Sequence, residues 1–310
     1  MRCIDLFAGL GGFSEGARQA GAHVVWAADH WRAAVDTHAL NHPGTDHLCQ
    51  DLQQADWSNV PAHDLLLASP ACQGHSEARG RDLPHHDVDR ATAYAVLAAV
   101  SYHRPRFVLV ENVKGFLRWP GFRGWKVSLE DFGYHVTVQR LNAKDFGLPQ
   151  SRERVFVLGC LDGPLALHAP GKPPLAASEV IDWSWPRWSP VDAHVEATRR
   201  RIEAGRAAYG SRFLVAYYGA EDGGRPITGP VGTITTTDRF AVVDGDRMRM
   251  LTLDEVRRVM GFPDSYVLPA GCLDVRGRRL SAHKAGVKML GNAVPPPMAA
   301  ELVRQIQAVA

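Results

Sequence analysis

No apolar run in this sequence approaches the ~18 residues that a bilayer-spanning helix needs, which removes integral membrane proteins from consideration. There is no CxxC pair. The five cysteines (Cys3, Cys49, Cys72, Cys160 and Cys272) are odd in number and widely scattered, so neither a structural zinc site nor a disulfide framework is indicated. A reducing cytosol is the natural setting for such a chain. The opening MRCIDLFAGLGG leaves no room for a secretory signal before the first apolar strand. No GxxxxGK[ST] loop occurs, so a nucleoside triphosphate is not implied. Internal repeats and low-complexity segments are also lacking. Charge is nearly balanced, with a net value of +2 and a pI near 8.3. Domains that bind nucleic acid often exceed a pI of about 9, so any basic surface here must be local.

What is present fits a cytoplasmic globular protein. The 310 residues allow one large domain, or a large and a small one, and 45% hydrophobic content supplies an ample core. The first half alternates short apolar runs with amphipathic stretches. Strands are expected at Arg2–Phe7, His23–Ala28, Asp64–Ser69 and Phe107–Val110, then at His135–Leu141 and Val155–Cys160. Helices are expected at Gly12–Ala20, Arg32–Asn41, Ala91–Tyr102 and Gly121–Phe132. That alternation predicts an α/β fold with a doubly wound, mainly parallel, Rossmann-like sheet, whose ligands bind beyond the carboxyl ends of the strands. From 161 to 224 the chain is rich in Pro, Gly, Trp and Arg with weak periodicity. Residues 163–245 are therefore read as a small irregular domain inserted between 1–162 and 246–310. Helical pattern returns at LTLDEVRRVMG, where Thr252 and Glu255 have capping-box spacing, and the chain closes with a helix over Pro297–Ala308.

Most of the chemistry-bearing residues fall at strand ends. Asp5-Leu6-Phe7-Ala8-Gly9-Leu10-Gly11-Gly12-Phe13 joins a strand to a helix. Its glycines permit a tight turn beside a helix N-terminus, although a glycine-rich turn alone is often just a connection. Asp29 and Asp51 follow the next strands. A carboxylate after the second strand can accept hydrogen bonds from ribose, so a nucleoside without phosphates fits. Ser69-Pro70-Ala71-Cys72-Gln73-Gly74-His75-Ser76 puts Cys72 on a polar loop at the sheet's ligand edge, where a thiolate could act as a nucleophile. The other cysteines read as small buried hydrophobes. Glu111-Asn112-Val113 ends a very apolar strand, so its Glu is either a terminator or a functional acid. Gln150-Ser151-Arg152-Glu153-Arg154 precedes another strand, and alternation puts the two arginines on one face. Gly291-Asn292-Ala293-Val294-Pro295-Pro296-Pro297 is a rigid turn before the last helix.

In this order and spacing, DLFAGLGGF, the Pro-x-Cys-Gln loop, ENV, QSRER, RMLTLDEVRRVMGFPDSY and GNAVPPP resemble the cytosine-5 DNA methyltransferase family of bacterial or phage type. The resemblance covers nearly the whole chain outside 163–224. It implies a class I methyltransferase fold, S-adenosylmethionine as cofactor and double-stranded DNA as substrate. Cys72 matches the nucleophile that adds to carbon 6 of cytosine, and Glu111 the carboxyl group at ring nitrogen 3. Arg154 matches the contact to the base carbonyl and Arg152 the support of that pocket, while Asn112 and Gln150 match orienting residues. Phe7, Gly9, Leu10 and Gly11 take the methionine end of the cofactor, Asp29 the ribose, and Asp51 with Leu52 the adenine. Asn292 and Val294 close the site. The loop from Gln73 to Asp89 matches the family's mobile loop, with Ser76, Arg79 and Arg81 as candidate DNA contacts. The target base must also be flipped out of the duplex.

The sequence departs from the family pattern at Ala71, Gly74-His75, Asp29 and Met289, none of which removes a group the chemistry requires. Residues 163–224 correspond to target recognition. Arg187, Arg199, Arg200, Arg206 and Arg212 are the candidate DNA contacts there, some of them to phosphates. Trp183, Trp185 and Trp188 read as small-domain core. His85-His86-Asp87 lacks a partner at ligand spacing, so no metal site is expected. Alternatives are an RNA cytosine-5 methyltransferase, an inactive DNA-binding homologue, or altered chemistry on cytosine. A monomer is expected, with a cognate restriction endonuclease as a candidate genetic partner.

Overall fold

The computed structural model describes residues 1–71, 85–217 and 223–310, with side chains described throughout these except at 85–90. The first seven strands are β1 (Arg2–Leu6), β2 (His23–Asp29), β3 (Asp46–Cys49), β4 (Leu65–Ala68), β5 (Phe107–Asn112), β6 (His135–Asn142) and β7 (Glu153–Cys160). They form one sheet in the order β3-β2-β1-β4-β5-β7-β6. Pairing is parallel from β3 through β5 and antiparallel on both sides of β7. The reversal follows from chain length. Ten residues link β6 to β7 with no room for a crossover helix, so the two strands form a hairpin-like pair. Strand β3 is short and half polar, as an edge strand can be.

Alternation along the central strands separates two apolar layers. Leu65 and Leu67 of β4 and Phe107 and Leu109 of β5 face helices α1 (Gly12–Gln19) and, at the far end of the chain, α8 (Pro296–Gln307). Leu66, Ala68, Val108 and Val110 face the opposite layer, built on α3 (His85–His103) and α4 (Phe122–Asp131). Helix α2 (Arg32–Asn41) links β2 to β3. Each large side chain buried in these layers contributes about 1.5–3 kcal/mol. Close approach is specified by glycine: a Cβ on Gly12 would lie 2.0 Å from the carbonyl oxygen of Val294. The first and last motifs of the chain therefore touch.

The stretch from 161 to 188 has the irregular backbone its composition suggests, but the remainder of the insertion does not. Helix α5 (Glu196–Tyr209) packs on a second, antiparallel sheet of β8 (Ser189–Pro190), β9 (Arg212–Ala216), β10 (Arg225–Pro226), β11 (Phe240–Asp244) and β12 (Arg247–Met250). Strands RFLVA and FAVVD were not expected because both of their faces are buried. Phe213 and Val215 lie under α5, while Leu214 and Ala216 join the layer that also holds Leu10, Trp31 and Met289. No polar residue alternates to mark them as strands. Trp183 and Trp188 pack against that layer, with the guanidinium groups of Arg212 and Arg249 over their respective rings. Helix α6 (Leu253–Val259) follows, with the expected capping box of Thr252 and Glu255. A hairpin of β13 (Gly271–Leu273) and β14 (Arg279–Ser281) then leads into α7 (Ala282–Asn292).

Candidate active site

In this strand order the chain turns back between β1 and β4, and their carboxyl ends open a crevice. Ser69 ties the two ends together: its N–H donates to Leu6 and its hydroxyl to the Phe7 carbonyl. The turn after β1 is left-handed at Phe7 (φ 59°), Gly9 (φ 53°) and Gly11 (φ 94°). A positive φ is strained for phenylalanine, and such strain persists only where the surroundings hold it. The two glycines differ. A Cβ on Gly9 would meet nothing closer than the Phe7 carbonyl at 3.9 Å, so this side of the turn is an open cradle. A Cβ on Gly11 would lie 2.7 Å from the Tyr266 hydroxyl, so that side faces protein.

Asp29, at the end of β2, is buried beside the cradle. One carboxylate oxygen accepts from Gly9 N–H at 3.0 Å and the other from Trp31 N–H at 2.8 Å. It shapes the turn as well as facing it, and the His30 ring lies 3.4 Å from the oxygen that Trp31 N–H bonds. Asp51 is exposed and caps the short helical turn Leu52–Gln54 through Gln53 N–H, with Leu52 buried beneath. Gln50 N–H donates to the Asp29 carbonyl, which brings the two acidic residues to one edge. The remaining cofactor candidates divide. Leu10 and Val294 are buried and turn their side chains inward, while Asn292 is exposed at the end of α7. An open glycine cradle flanked by two carboxylates, with no phosphate loop, fits a nucleoside that carries positive charge.

Across the crevice, Glu111 ends β5 and Arg154 lies near the start of the neighbouring β7. Arg154 Nε is 3.0 Å from Glu111 Oε1. Burial raises the Glu111 pKa from its ordinary value, with Arg154 and then Arg152 opposing the shift. Asn112 faces the loop that carries Cys72: its amide donates to the Pro70 carbonyl at 3.1 Å. Ala71 N–H donates to the Thr92 hydroxyl of α3 at 3.1 Å. The backbone is thus held on two sides just before Cys72. Cys72 itself, with Ser76, Arg79 and Arg81, lies outside the described residues, as do the side chains of His85, His86 and Asp87.

The other two site candidates in QSRER, Arg152 and Gln150, bond mainly to backbone. The Arg152 side chain is fully buried and donates to the carbonyls of Ile234, Gly291 and Ala293. The Gln150 side chain accepts from Ile234 N–H and donates to Val259 O. Both peptide groups of Ile234 are therefore clamped by side chains of the QSRER segment. Ile234 and Thr92 were missed in the sequence, because a Thr-Ile-Thr run and an isolated Thr carry no signal until the chain folds, and Tyr266, the last residue of the RMLTLDEVRRVMGFPDSY block, was given no role of its own. Among the DNA-contact candidates, Arg187 and Arg199 are exposed. Arg200 pairs with Glu196, Arg206 with Asp246, and Arg212 with Asp244 at 2.7 Å.

The family model described as C-5 cytosine-specific DNA methylase matches residues 1–308. The chain belongs to that family. Its relatives include the Type II methyltransferase M.NlaX of Neisseria lactamica, 29% identical, with 99% of this chain and 96% of the relative covered. The Type II methyltransferase M.MthTI of Methanothermobacter thermautotrophicus is 27% identical over 99% of this chain and 97% of its own length. Among solved structures, a prophage-encoded protein of E. coli aligns with a TM-score of 0.72 at 21% identity, covering 99% of each chain. The Dnmt2 methyltransferase of S. pombe aligns at 0.68 and 18%, covering 100% of this chain and 99% of its own. These two share the fold. This methylase transfers a methyl group to carbon 5 of cytosine, its substrate is DNA, and the reaction needs a methyl donor. Among the described residues, no helix is long and apolar enough to cross a membrane.

Proposed function

We propose that this methylase uses S-adenosylmethionine as donor and works through a covalent adduct between Cys72 and a cytosine flipped out of a short duplex sequence. The observation that carries the reading is the buried Glu111–Arg154 pair, 3.0 Å apart, beside a loop that Asn112 anchors at Pro70. Carbon 5 of cytosine is a poor nucleophile. Addition of the Cys72 thiolate to carbon 6 pushes electron density toward carbon 5 and ring nitrogen 3. Burial favours the protonated form of Glu111, and a proton given from it to nitrogen 3 offsets the negative charge that develops there. Arg154 orients Glu111 and faces the base carbonyl. The bound cofactor supplies a methyl group on a sulfonium, which carbon 5 then takes. A water molecule takes the carbon-5 proton, the Cys72 thiolate is expelled from carbon 6, and nitrogen 3 returns its proton to Glu111, which restores the ring and the enzyme.

On the cofactor side, Gly9 provides the cradle, and Asp29 and Asp51 the acceptors for ribose and adenine. Arg152 and Gln150 act by holding Ile234 rather than by touching the base. Residues 1–162 and 246–310 are the catalytic domain and 163–245 the target-recognition domain, whose sheet continues to Met250. The Type II names of the relatives support a place in a restriction-modification system, with a cognate endonuclease as genetic partner. The enzyme is expected to act as a cytoplasmic monomer. The test is methyl transfer from labelled S-adenosylmethionine to duplex DNA by the intact protein and by Cys72→Ala. Formation of 5-methylcytosine that is abolished in the variant supports the reading. Methylation that survives in Cys72→Ala, or that appears only on transfer RNA, overturns it.

A further inference from the structure

The turn that forms the cofactor cradle is held from its protein-facing side by a residue 256 positions away in the chain. The Tyr266 hydroxyl donates to the Leu10 carbonyl at 2.5 Å. Tyr266 is buried, and its ring is fixed edge-on against Phe262 with centroids 4.7 Å apart. Burial holds the phenol well above its ordinary pKa of 10, so it keeps its proton at any working pH. His42 Nε2 lies 3.1 Å from the same oxygen. The single phenolic hydrogen is used on Leu10, so His42 must present an N–H to Tyr266. Gly11 completes the arrangement. Its left-handed conformation and missing side chain leave the space that the Tyr266 hydroxyl and the His38 ring occupy.

We propose that Tyr266, oriented by His42, is a positioning residue for the methyl donor: by fixing the Leu10 carbonyl it sets the path of Phe7–Gly11 and hence the shape of the cradle at Gly9. This rests on the reading that the cradle holds S-adenosylmethionine. The hydrogen-bond set around the turn supports it. Asp29 accepts from Gly9 N–H and Tyr266 donates to the Leu10 carbonyl, so the peptide groups on either side of the Gly9–Leu10 link are each pinned by a side chain from elsewhere in the fold. Packing alone would need only the ring. The hydroxyl adds a directional bond to a buried carbonyl, and a buried carbonyl that loses its partner drives the backbone to rearrange.

The experiment is calorimetric titration of S-adenosylmethionine into the full-length protein without DNA, on the parent, Tyr266→Phe, His42→Gln, His42→Leu and Asp29→Ala. Duplex-DNA affinity and melting temperature are measured on the same samples. Tyr266→Phe keeps the ring and is expected to weaken cofactor binding about tenfold, the effect of one lost buried hydrogen bond. Its KM for S-adenosylmethionine rises while kcat and DNA affinity hold. His42→Gln, which retains an N–H donor, stays near the parent, and His42→Leu follows Tyr266→Phe. If Asp29→Ala loses cofactor affinity but Tyr266→Phe binds as tightly as the parent, the positioning role falls and the cradle reading stands. Equal weakening of DNA and cofactor binding by Tyr266→Phe means general loosening, and also overturns it. If Asp29→Ala and Tyr266→Phe both bind like the parent, the cradle reading fails and takes the inference with it.

Discussion

Glu111 and Asp5 are both carboxyl groups buried at the ends of sheet strands, and burial acts on them in the same direction with different consequences. Glu111 has arginines beside it, which oppose the upward shift that burial causes. Glu111→Gln retains the shape and loses the transferable proton. Its kcat on duplex DNA is expected to fall by about 10²–10⁴-fold, with cofactor affinity unchanged by calorimetry. Among the described residues Asp5 forms no ion pair, and Asp29 adds to the effect of its burial. The Ser14 N–H and hydroxyl both donate to one of its oxygens, yet burial still lifts its pKa from 3.8 to about 7. A carboxyl group whose pKa is raised on folding favours the folded state below its unfolded pKa and loses that contribution as pH rises through the folded value. Asp5→Asn keeps an acceptor for Ser14 and cannot ionise. Its melting temperature relative to the parent should therefore improve as pH rises from about 4 to about 7, then level off. A difference that is flat across that range would show that Asp5 is already ionised in the folded protein.

At the scale of elements, the junction of β12 and α6 concentrates several bonds on one carboxylate. Glu255 caps Thr252 N–H, accepts from Asp182 N–H, and forms a two-pronged pair with Arg249 at 2.7 Å on both sides. Both side chains are buried. Removing one partner leaves the other charge buried without its counter-ion, a loss of about 3–5 kcal/mol. Glu255→Ala should reduce unfolding stability by that order in urea titration. Replacing both residues, as in Arg249→Met with Glu255→Gln, should recover much of it, and a double variant as damaged as the single would argue against the charge as the cause. The capping box was legible in the sequence, because its two residues have fixed local spacing. The ion pair with Arg249 and the bond to Asp182 were not, because they depend on how the inserted domain returns to the catalytic one.

Over the whole molecule, the inserted segment is tied to the catalytic domain at Ile234, held by Gln150 and Arg152, and the arginines proposed for DNA lie before β8 (Arg187), on α5 (Arg199, Arg200 and Arg206) and at the start of β9 (Arg212). Their surroundings separate them. Arg187 and Arg199 are exposed, so Arg187→Ala and Arg199→Ala should weaken duplex binding, each lowering the slope of log affinity against log salt by about one. Arg212 is paired with Asp244 and stacked over Trp183, so Arg212→Ala should lower the melting temperature of the protein instead. A salt slope unchanged by both exposed variants would move the DNA-facing surface elsewhere. The sequence by itself determined the parallel core of the large sheet, the glycine turn after β1, the acid at the end of β5 and the capped helix near the C-terminus. Each of these is written in neighbouring residues, as an apolar run, a glycine pair or a cap at fixed spacing. Only the tertiary structure decided the second sheet, whose strands are buried on both faces and so show no alternation. It also decided that Arg152 serves the backbone while Arg154 serves Glu111, and that Gly11 makes room for Tyr266. Those outcomes depend on which distant segments meet, and the burial that raises a carboxyl's pKa or fixes a phenol as a donor exists only once they have met.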